Sequence, residues 1–567
     1  VTEKIKERIA QAIERAIDEA ISQNVIPEVQ IPRVRLERPR DERFGDLACT
    51  VALELASRIK TQPRKVAEEI VSRMDSADGL IESVEIAGPG FINIKLSKGW
   101  LENLLRQITS QKEDFGRCDL GKGKKVQVEF VSTNPTGPLN VVNGRAASVG
   151  DSLVNILQAV GYDVTREFYI NDAGGQAYRL AKSIEARYQQ LMGNDVPFPE
   201  DGYKGEYVTE LAKSLIQERG DDLARMDERE RLELFREIGC ARMVEWQKQD
   251  LERFRVFFDV WTSEKAIRDS GKPEMILERL REKGYLYEKD GAVWFRSTDF
   301  GDDKDRVLIK SDGEYTYVVP DIAYHYNKFE RGFDRVIDIW GPDHYGYIVR
   351  LKAAIQAMGI DPERLQIMIV QMVRLVRGGQ SVKMSKRKGE FITLADLLDE
   401  LAETVDERFA VDVARFFFVM RSHSTHLDFD MDLAISQAND NPVFYIQYAH
   451  ARICSIFRQA AERGIERWPI ERVDLSLLGN DEEVSLMRSL AQYPEVILGA
   501  AQALEPHRIP YYLLDLATRF HAFYDRHRVL DRENMPLTQA RMILVDAVGQ
   551  VIRNGLSLLG IRAPERM

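Results

Sequence analysis

Glu129-Phe-Val-Ser-Thr-Asn-Pro-Thr-Gly-Pro-Leu-Asn-Val-Val-Asn-Gly-Arg145 is the stretch that decides how this chain folds. A short β-branched run, Val126 to Val131, leads into a loop of hydroxyl, amide, proline and glycine residues, and a helix follows from about Gly144 to Val160. Strand, tight loop and helix form the opening unit of a nucleotide-binding α/β sheet. The helix start offers an anion free backbone N–H groups and the positive end of the helix dipole. Taken locally, the pattern fits equally well a strand-to-helix turn of any α/β protein.

Downstream, short apolar runs at Val307 to Ile309, Tyr315 to Val319, Val336 to Trp340 and Leu365 to Val370 extend the parallel-sheet reading, with a helix from about Tyr347 to Met358 between the last two. Tyr178 to about Lys272 is charged and helical in period, as an insertion would be. From Leu394 nearly everything has helical period, including Phe444 to Ala461, Tyr511 to Tyr524 and Ala540 to Leu559, which predicts an all-α bundle. Upstream, Ile5, Ile9, Ile13, Ile17 and Ile21 form one apolar helix stripe. Val34 and Leu36 alternate with charge like a strand, Phe44-Gly45-Asp46 reads as a turn, and Leu47 to about Arg58 reads as a helix. Another helix begins near Pro63, and Ile81 to Leu96 reads as a strand pair broken at Gly88-Pro89-Gly90. The expected fold is multidomain α/β. An N-terminal α+β module (1–115) precedes a Rossmann-type parallel-sheet domain (116–393) with a helical insertion at about 178–272, and a helical linker and bundle (394–567) close the chain.

Composition narrows the function classes. The 567 residues are 44% hydrophobic and 30% charged, which excludes a mostly disordered or collagen-like chain. The net charge of −12 means that any nucleic-acid contact rests on local basic patches rather than on bulk charge. Cys49, Cys118, Cys240 and Cys454 stand far apart without metal-ligand spacing, as reduced, mostly buried thiols of a cytoplasmic protein would. No run reaches the roughly 18 apolar residues of a membrane span. No zinc site is visible, and no protein-bound metal is expected.

A second polar feature is Val382-Lys-Met-Ser-Lys-Arg-Lys-Gly389, after Gly378-Gly379 and before a helix at about Thr393. Lysines on a glycine-flanked loop suit charge that develops on a phosphate leaving group, and a solvated basic loop gives the same local pattern. Together the two features resemble the His-x-Gly-His and Lys-Met-Ser-Lys-Ser loops of class I aminoacyl-tRNA synthetases. The wider match is to the arginyl-tRNA synthetase family. Ala87-Gly-Pro-Gly-Phe-Ile-Asn93, Ser132-Thr-Asn-Pro-Thr-Gly-Pro138, Tyr169-Ile-Asn-Asp-Ala-Gly174, Asp321-Ile-Ala-Tyr-His325, Leu427-Asp-Phe-Asp430, Tyr445-Ile-Gln-Tyr-Ala-His-Ala-Arg452 and Asn554-Gly-Leu-Ser-Leu-Leu-Gly560 all look like that family, in its order.

The resemblance implies ATP-dependent activation of L-arginine to arginyl-adenylate and transfer to the 3′-terminal adenosine of tRNA(Arg), by a cytoplasmic monomer with Mg2+ accompanying ATP. By similarity, Lys383 and Lys386 stabilise phosphate, with Met384 and Ser385 between them. Asn140 and Asn143 stand at the positions of the family's two loop histidines. Thr136, Gly137, Pro138, Val142, Gly144, Asp343 and His344 surround the nucleotide. Glu129, Tyr317 and Asp321 fall where the family holds the guanidinium, and Ser132 and Asn134 where it holds the amino and carboxylate end. The N-terminal module would touch the tRNA elbow and the bundle the anticodon, with Arg33, Arg35, Arg38, Arg40, Tyr445 and Arg452 as candidate contacts.

One segment departs from the pattern: Asn140-Val141-Val142-Asn143 stands where the family has His-x-Gly-His, and all eight histidines lie at His325 or later. An amide can replace the donor of a neutral imidazole but brings no positive charge. Val142 puts a β-branched side chain where the family's glycine lets adenine approach the backbone. Two readings follow: a synthetase working with a variant loop, or a synthetase-like tRNA-binding paralogue or variant without efficient adenylate formation.

Overall fold

The computed structural model describes residues 2–39, 41, 44–382 and 392–567. Five strands, β1 (Lys125–Glu129), β2 (Asp163–Ile170), β3 (Val260–Ser263), β4 (Arg335–Trp340) and β5 (Leu365–Ile369), form one sheet in the order β5-β4-β1-β2-β3. Every neighbouring pair is parallel. Val126 and Val128 are fully buried, as a parallel sheet covered on both faces requires. Helix α1 (Val141–Ala159) follows β1, and α2 (Val318–Glu330) precedes β4. Because β1 and β4 are neighbours whose connections leave in opposite directions, their carboxyl ends open the crevice in which such sheets bind ligands. A Cβ on Gly150 of α1 would stand 2.3 Å from the Phe130 ring, so glycine there sets how closely α1 approaches the end of β1.

The sheet is assembled differently from the sequence reading. Arg306–Ile309 pairs antiparallel with Ala292–Phe295 in a separate three-stranded sheet, and Tyr315 makes only an isolated bridge before α2 begins at Val318. The other core strands are β2 and β3, and β3 lies inside the segment read as a helical insertion. The insertion helices Gly175–Leu191, Glu206–Arg219 and Glu228–Arg253 end before it and share a core of their own, including Leu180, Ile184, Leu211, Leu215 and Phe235.

In the N-terminal module, Thr2–Ser22 is one helix that buries Ile5, Ile9, Ile13 and Ile17, each worth about 1.5–3 kcal/mol relative to exposure. Its sheet runs Leu36–Glu37, Leu47–Cys49, Phe91–Leu96, Ile81–Ala87, all antiparallel. Leu47–Cys49 is therefore a strand and not the start of a helix: it pairs with Ile92–Ile94, and the helix begins only at Val51. Lys6 and Arg38 of this module both pair with Glu495 of helix Asp481–Ala503, and Arg488 of the same helix pairs with Asp46. Pro442–Glu462, Asp481–Ala503, Arg508–Arg526 and Met535–Leu558 form the C-terminal bundle. One strand interrupts the helical stretch after Leu394: Leu427–Asp430 runs parallel to Val373–Arg377. Cys49 and Cys240 are buried, Cys118 is exposed, Cys454 is half-buried, and all four are free. No described helix is long and apolar enough to cross a membrane.

Candidate active site

The chain leaves β1 through a strained turn. Val131 has φ +70° and Ser132 +35°, and a β-branched residue in that region costs on the order of 1–3 kcal/mol. The turn brings the Ser132 hydroxyl back to donate to Glu129 Oε1 at 2.8 Å, while it accepts from the Tyr169 amide at 3.1 Å. The rest of the loop is held by the insertion. Asn134 Nδ2 donates to Gln176 (2.8 Å), Tyr207 donates to the Thr136 carbonyl (2.7 Å), and Gln247 Nε2 donates to the carbonyls of Asn134 (3.1 Å) and Gly137 (2.9 Å). Pro138 closes the fixed part of the loop, two residues before Asn140.

Asn140 and Asn143 are first of all a capping box. Asn140 Oδ1 accepts from the amides of Val142 (2.9 Å) and Asn143 (3.0 Å), and Asn143 Oδ1 accepts from the Asn140 amide (2.9 Å). This reciprocal pair starts α1 at Val141, three residues before the glycine where the sequence places the helix. Asn143 Nδ2 donates to Thr133 (2.8 Å), whereas Asn140 Nδ2 has no partner among the described residues. Val142 is half-buried on the first turn. Gly144 is buried, and a Cβ there would meet Leu394 at 2.8 Å and Phe418 at 3.1 Å, so it serves helix packing.

Lys383, Met384, Ser385 and Lys386 lie outside the described residues. Their flanks are placed: Val382 donates to the Leu375 carbonyl (2.9 Å), Leu394 N donates to Leu139 O (2.8 Å), and Val141 N donates to Ile392 O (3.3 Å). The segment that follows the basic loop therefore returns beside Asn140.

Across the crevice, Tyr317 is 61% exposed and accepts from Arg350 (2.9 Å). Asp321, on the first turn of α2, accepts from the Tyr347 hydroxyl (2.7 Å). Burial pushes the Asp321 carboxyl up to about 6, against the lowering effect of that hydrogen bond. Asp343 and His344 are exposed in the short 3-10 helix Pro342–Tyr347 after β4, with the His344 ring 6.0 Å from Trp340.

Beneath these residues is a charged layer that sequence reasoning passed over. Asp338, Glu129 and Glu167 stand directly opposite one another on β4, β1 and β2. Helix α2 lays Tyr324, His325, Lys328 and Arg331 against this row. Lys328 donates to Glu129 and to Asp338 (2.7 Å), Arg331 to Glu167 (2.6 Å), and the Tyr324 hydroxyl lies 2.9 Å from Glu129 and 3.0 Å from Glu167. His325 Nε2 meets Asp338 at 2.8 Å. Burial alone raises the carboxyls of Glu167 and Asp338, but Lys328 together with Arg331 or His325 holds both below their ordinary values. The ligating atoms of Glu129, His325 and Asp338 lie within 4.8 Å of one another, a spacing that could hold a metal ion. The Lys328 ammonium already supplies a cation between the two carboxylates. The signal was present in Asp321, Tyr324, Lys328 and Arg331, which recur at three- and four-residue steps on one helix face, and in Asp338 inside an apolar strand.

The candidate tRNA contacts are scattered. Arg33 and Arg35 are exposed in the segment just before strand Leu36–Glu37, Arg38 is committed to Glu495 (2.9 Å), and Arg40 lies outside the described residues. Arg452 stacks over Tyr448 (4.7 Å) and Tyr524 (4.6 Å) and bonds His521 (3.2 Å), and the Tyr445 ring lies 4.4 Å from His521.

A Rossmann-type sheet with a capped polar loop at its switch point fits the catalytic domain of a class I aminoacyl-tRNA synthetase. Residues 104–411 match the family model described as tRNA synthetases class I (R), catalytic domain, residues 3–96 the arginyl tRNA synthetase N terminal domain, and residues 446–567 the DALR anticodon binding domain. The chain is 49% identical to the arginine–tRNA ligase of Anoxybacillus flavithermus and 50% identical to that of Geobacillus kaustophilus, in each case over 100% of this chain and 99% of the relative. The fold also matches the arginyl-tRNA synthetase structure from Thermus thermophilus, with a TM-score of 0.75 at 23% identity, covering 99% of this chain and 100% of that one. The chain belongs to the arginyl-tRNA synthetase family.

Proposed function

We infer that this chain activates L-arginine with ATP to arginyl-adenylate and transfers the arginyl group to the 3′-terminal adenosine of tRNA(Arg). The observation that carries this reading is the pair of neighbouring carboxylates, Glu129 at the end of β1 and Asp321 on α2, a donor set suited to a planar cation, inside a chain matched over its full length by arginine–tRNA ligases. In the first step an oxygen of the arginine carboxylate attacks the α-phosphorus of ATP and pyrophosphate leaves. In the second the 2′-hydroxyl attacks the activated carbonyl and AMP leaves. The first step depends on in-line positioning at phosphorus, the second on placing the hydroxyl against the carbonyl carbon, and both on stabilising charge, so donors matter more than a general base.

Glu129, Tyr317 and Asp321 take the guanidinium, and Ser132 and Asn134 the amino-acid end. Thr136, Gly137, Pro138, Val142, Asp343 and His344 shape the nucleotide site. Gly144 acts there indirectly, by seating α1. Asn140 Nδ2 is the free donor for phosphate, while Asn143 fixes the loop through Thr133. Lys383 and Lys386, with Met384 and Ser385, neutralise the leaving pyrophosphate, and Mg2+ enters with ATP. Residues 1–115 and 394–567 bind the tRNA elbow and anticodon arm, the former through Arg33, Arg35 and Arg40, the latter around Tyr445 and Arg452. One chain holds every group named, so a monomer suffices. No observation favours the reading without adenylate chemistry.

The test is formation of arginyl-tRNA from arginine, ATP, Mg2+ and tRNA(Arg), beside a triple variant carrying Asn140→His, Val142→Gly and Asn143→His. Turnover by the unaltered protein supports the assignment; turnover by the triple variant alone refutes it.

A further inference from the structure

The row Asp338, Glu129, Glu167 is a costly arrangement. Like charges directly opposite one another across neighbouring strands destabilise a sheet. Asp338, Glu167 and Lys328 are all fully buried, so water does not relieve the repulsion. Two cations offset it unequally: Arg331 binds Glu167 from the partly exposed end, and Lys328 sits inside, between Glu129 and Asp338. Three carboxylates share these two cations, with His325 Nε2 also on Asp338, in the layer directly below the crevice.

The hydrogen bonds show which edge of Glu129 stays open. Glu129 Oε2 is taken by the Lys328 ammonium and the Tyr324 hydroxyl, while among the described residues Oε1 accepts only from Ser132, at the loop that forms the crevice wall. A carboxylate oxygen offers two lone-pair sites, so Oε1 keeps one to give. We propose that Lys328 is a positioning residue for arginine recognition: without touching the substrate, it pins the Oε2 edge of Glu129 against Asp338 and so holds Oε1 toward the arginine. The proposal rests on the reading of Glu129 as an arginine-binding residue.

The groups that face Glu129 are Glu167 and Tyr169 from β2, Asp338 from β4, Tyr324, His325, Lys328, Arg331 and Asp321 from α2, and Ser132 from the loop. Of these, Lys328 is the cation in direct contact with Glu129. Removing its charge leaves adjacent carboxylates unpaired, so one of them takes up a proton, and the acid side of the arginine pH profile moves upward.

The experiment is steady-state aminoacylation by the full chain over a pH series, with arginine as the varied substrate. Lys328→Met is expected to raise KM for arginine by about ten-fold or more with kcat changed by less than about three-fold, and to move the acid limb of kcat/KM to higher pH. Lys328→Arg, which keeps the charge, restores most of the affinity. If Lys328→Met accumulates poorly, Lys328→Met with Asp338→Asn removes the stranded charge, and the same rise in KM is expected. An unshifted pH limb and an unchanged KM in either form overturn the proposal. Glu129→Gln separates the two layers of inference. A raised KM in Glu129→Gln with none in the Lys328 variants rejects the positioning role alone. An unchanged KM in Glu129→Gln rejects the arginine-site reading and the proposal with it.

Discussion

At the scale of single residues, Asn140 has two duties that one substitution can separate. Its Oδ1 caps α1, and its Nδ2 has no partner among the described residues. Asn140→Asp keeps the capping oxygen and removes the donor. It should hold thermal stability while lowering adenylate formation by about 10²–10³-fold, the usual loss for one transition-state donor. Asn140→Ala removes both, and should also cost about 1 kcal/mol of stability in chemical denaturation. Asp321 gives a pH signature. Its carboxyl is raised to about 6, so it takes up a proton at a higher pH than an ordinary aspartate, whereas a guanidinium prefers the carboxylate. Arginine affinity should therefore climb as pH rises through about 6, level off above it, and fall below it as Asp321 protonates. Isothermal titration with L-arginine across that range checks the sign, and Asp321→Asn should bind weakly and without the inflection.

Among the elements, legibility followed how local the deciding force is. The stripe from Ile5 to Ile21 and the bundle helices were readable because a 3.6-residue period is written in consecutive side chains. Strand membership was not. Leu47–Cys49 carries nothing that distinguishes a helix start from a strand, and its partner, Ile92–Ile94, lies more than forty residues on. Val260–Ser263 is too short for a period to show and follows directly on a charged helical insertion. The site divides in the same way. Glu129, Ser132 and Asp321 stood out because they sit in distinctive strings, whereas Glu167, Lys328 and Asp338 become a unit only when β2, α2 and β4 are stacked beside β1. The Asn140 and Asn143 cap was legible in principle, since polar residues three apart before an apolar run mark a helix start. Gly150 is where an element-scale prediction applies: Gly150→Ala puts a methyl into the Phe130 ring and should destabilise by about 1–3 kcal/mol in urea unfolding, with the β1 end and its loop displaced.

For the whole molecule, the N-terminal module is tied to the bundle through Glu495, which pairs with Lys6 and Arg38, and through Asp46, which pairs with Arg488. Burial alone raises Glu495, but Arg38 and Lys6 hold it below the ordinary glutamate range. A depressed carboxyl contributes stability that is present above its unfolded value, near 4.5, and is lost as pH falls through the folded value. Glu495→Gln should release the module at neutral pH, seen as an increased radius of gyration in small-angle scattering and as faster proteolysis near residue 40. An unchanged radius and cleavage rate would mean that the Arg488–Asp46 pair and the apolar contacts suffice.

The backbone pairing of Leu139 with Leu394, and of Val141 with Ile392, has a kinetic consequence. The α1 cap and the root of the basic loop share bonds, so neither can open while the other stays shut. The amide protons of Val142, Asn143 and Leu394 should exchange with deuterium as one cooperative group, with a common rate and a common response to ATP, although some 250 residues of chain separate them.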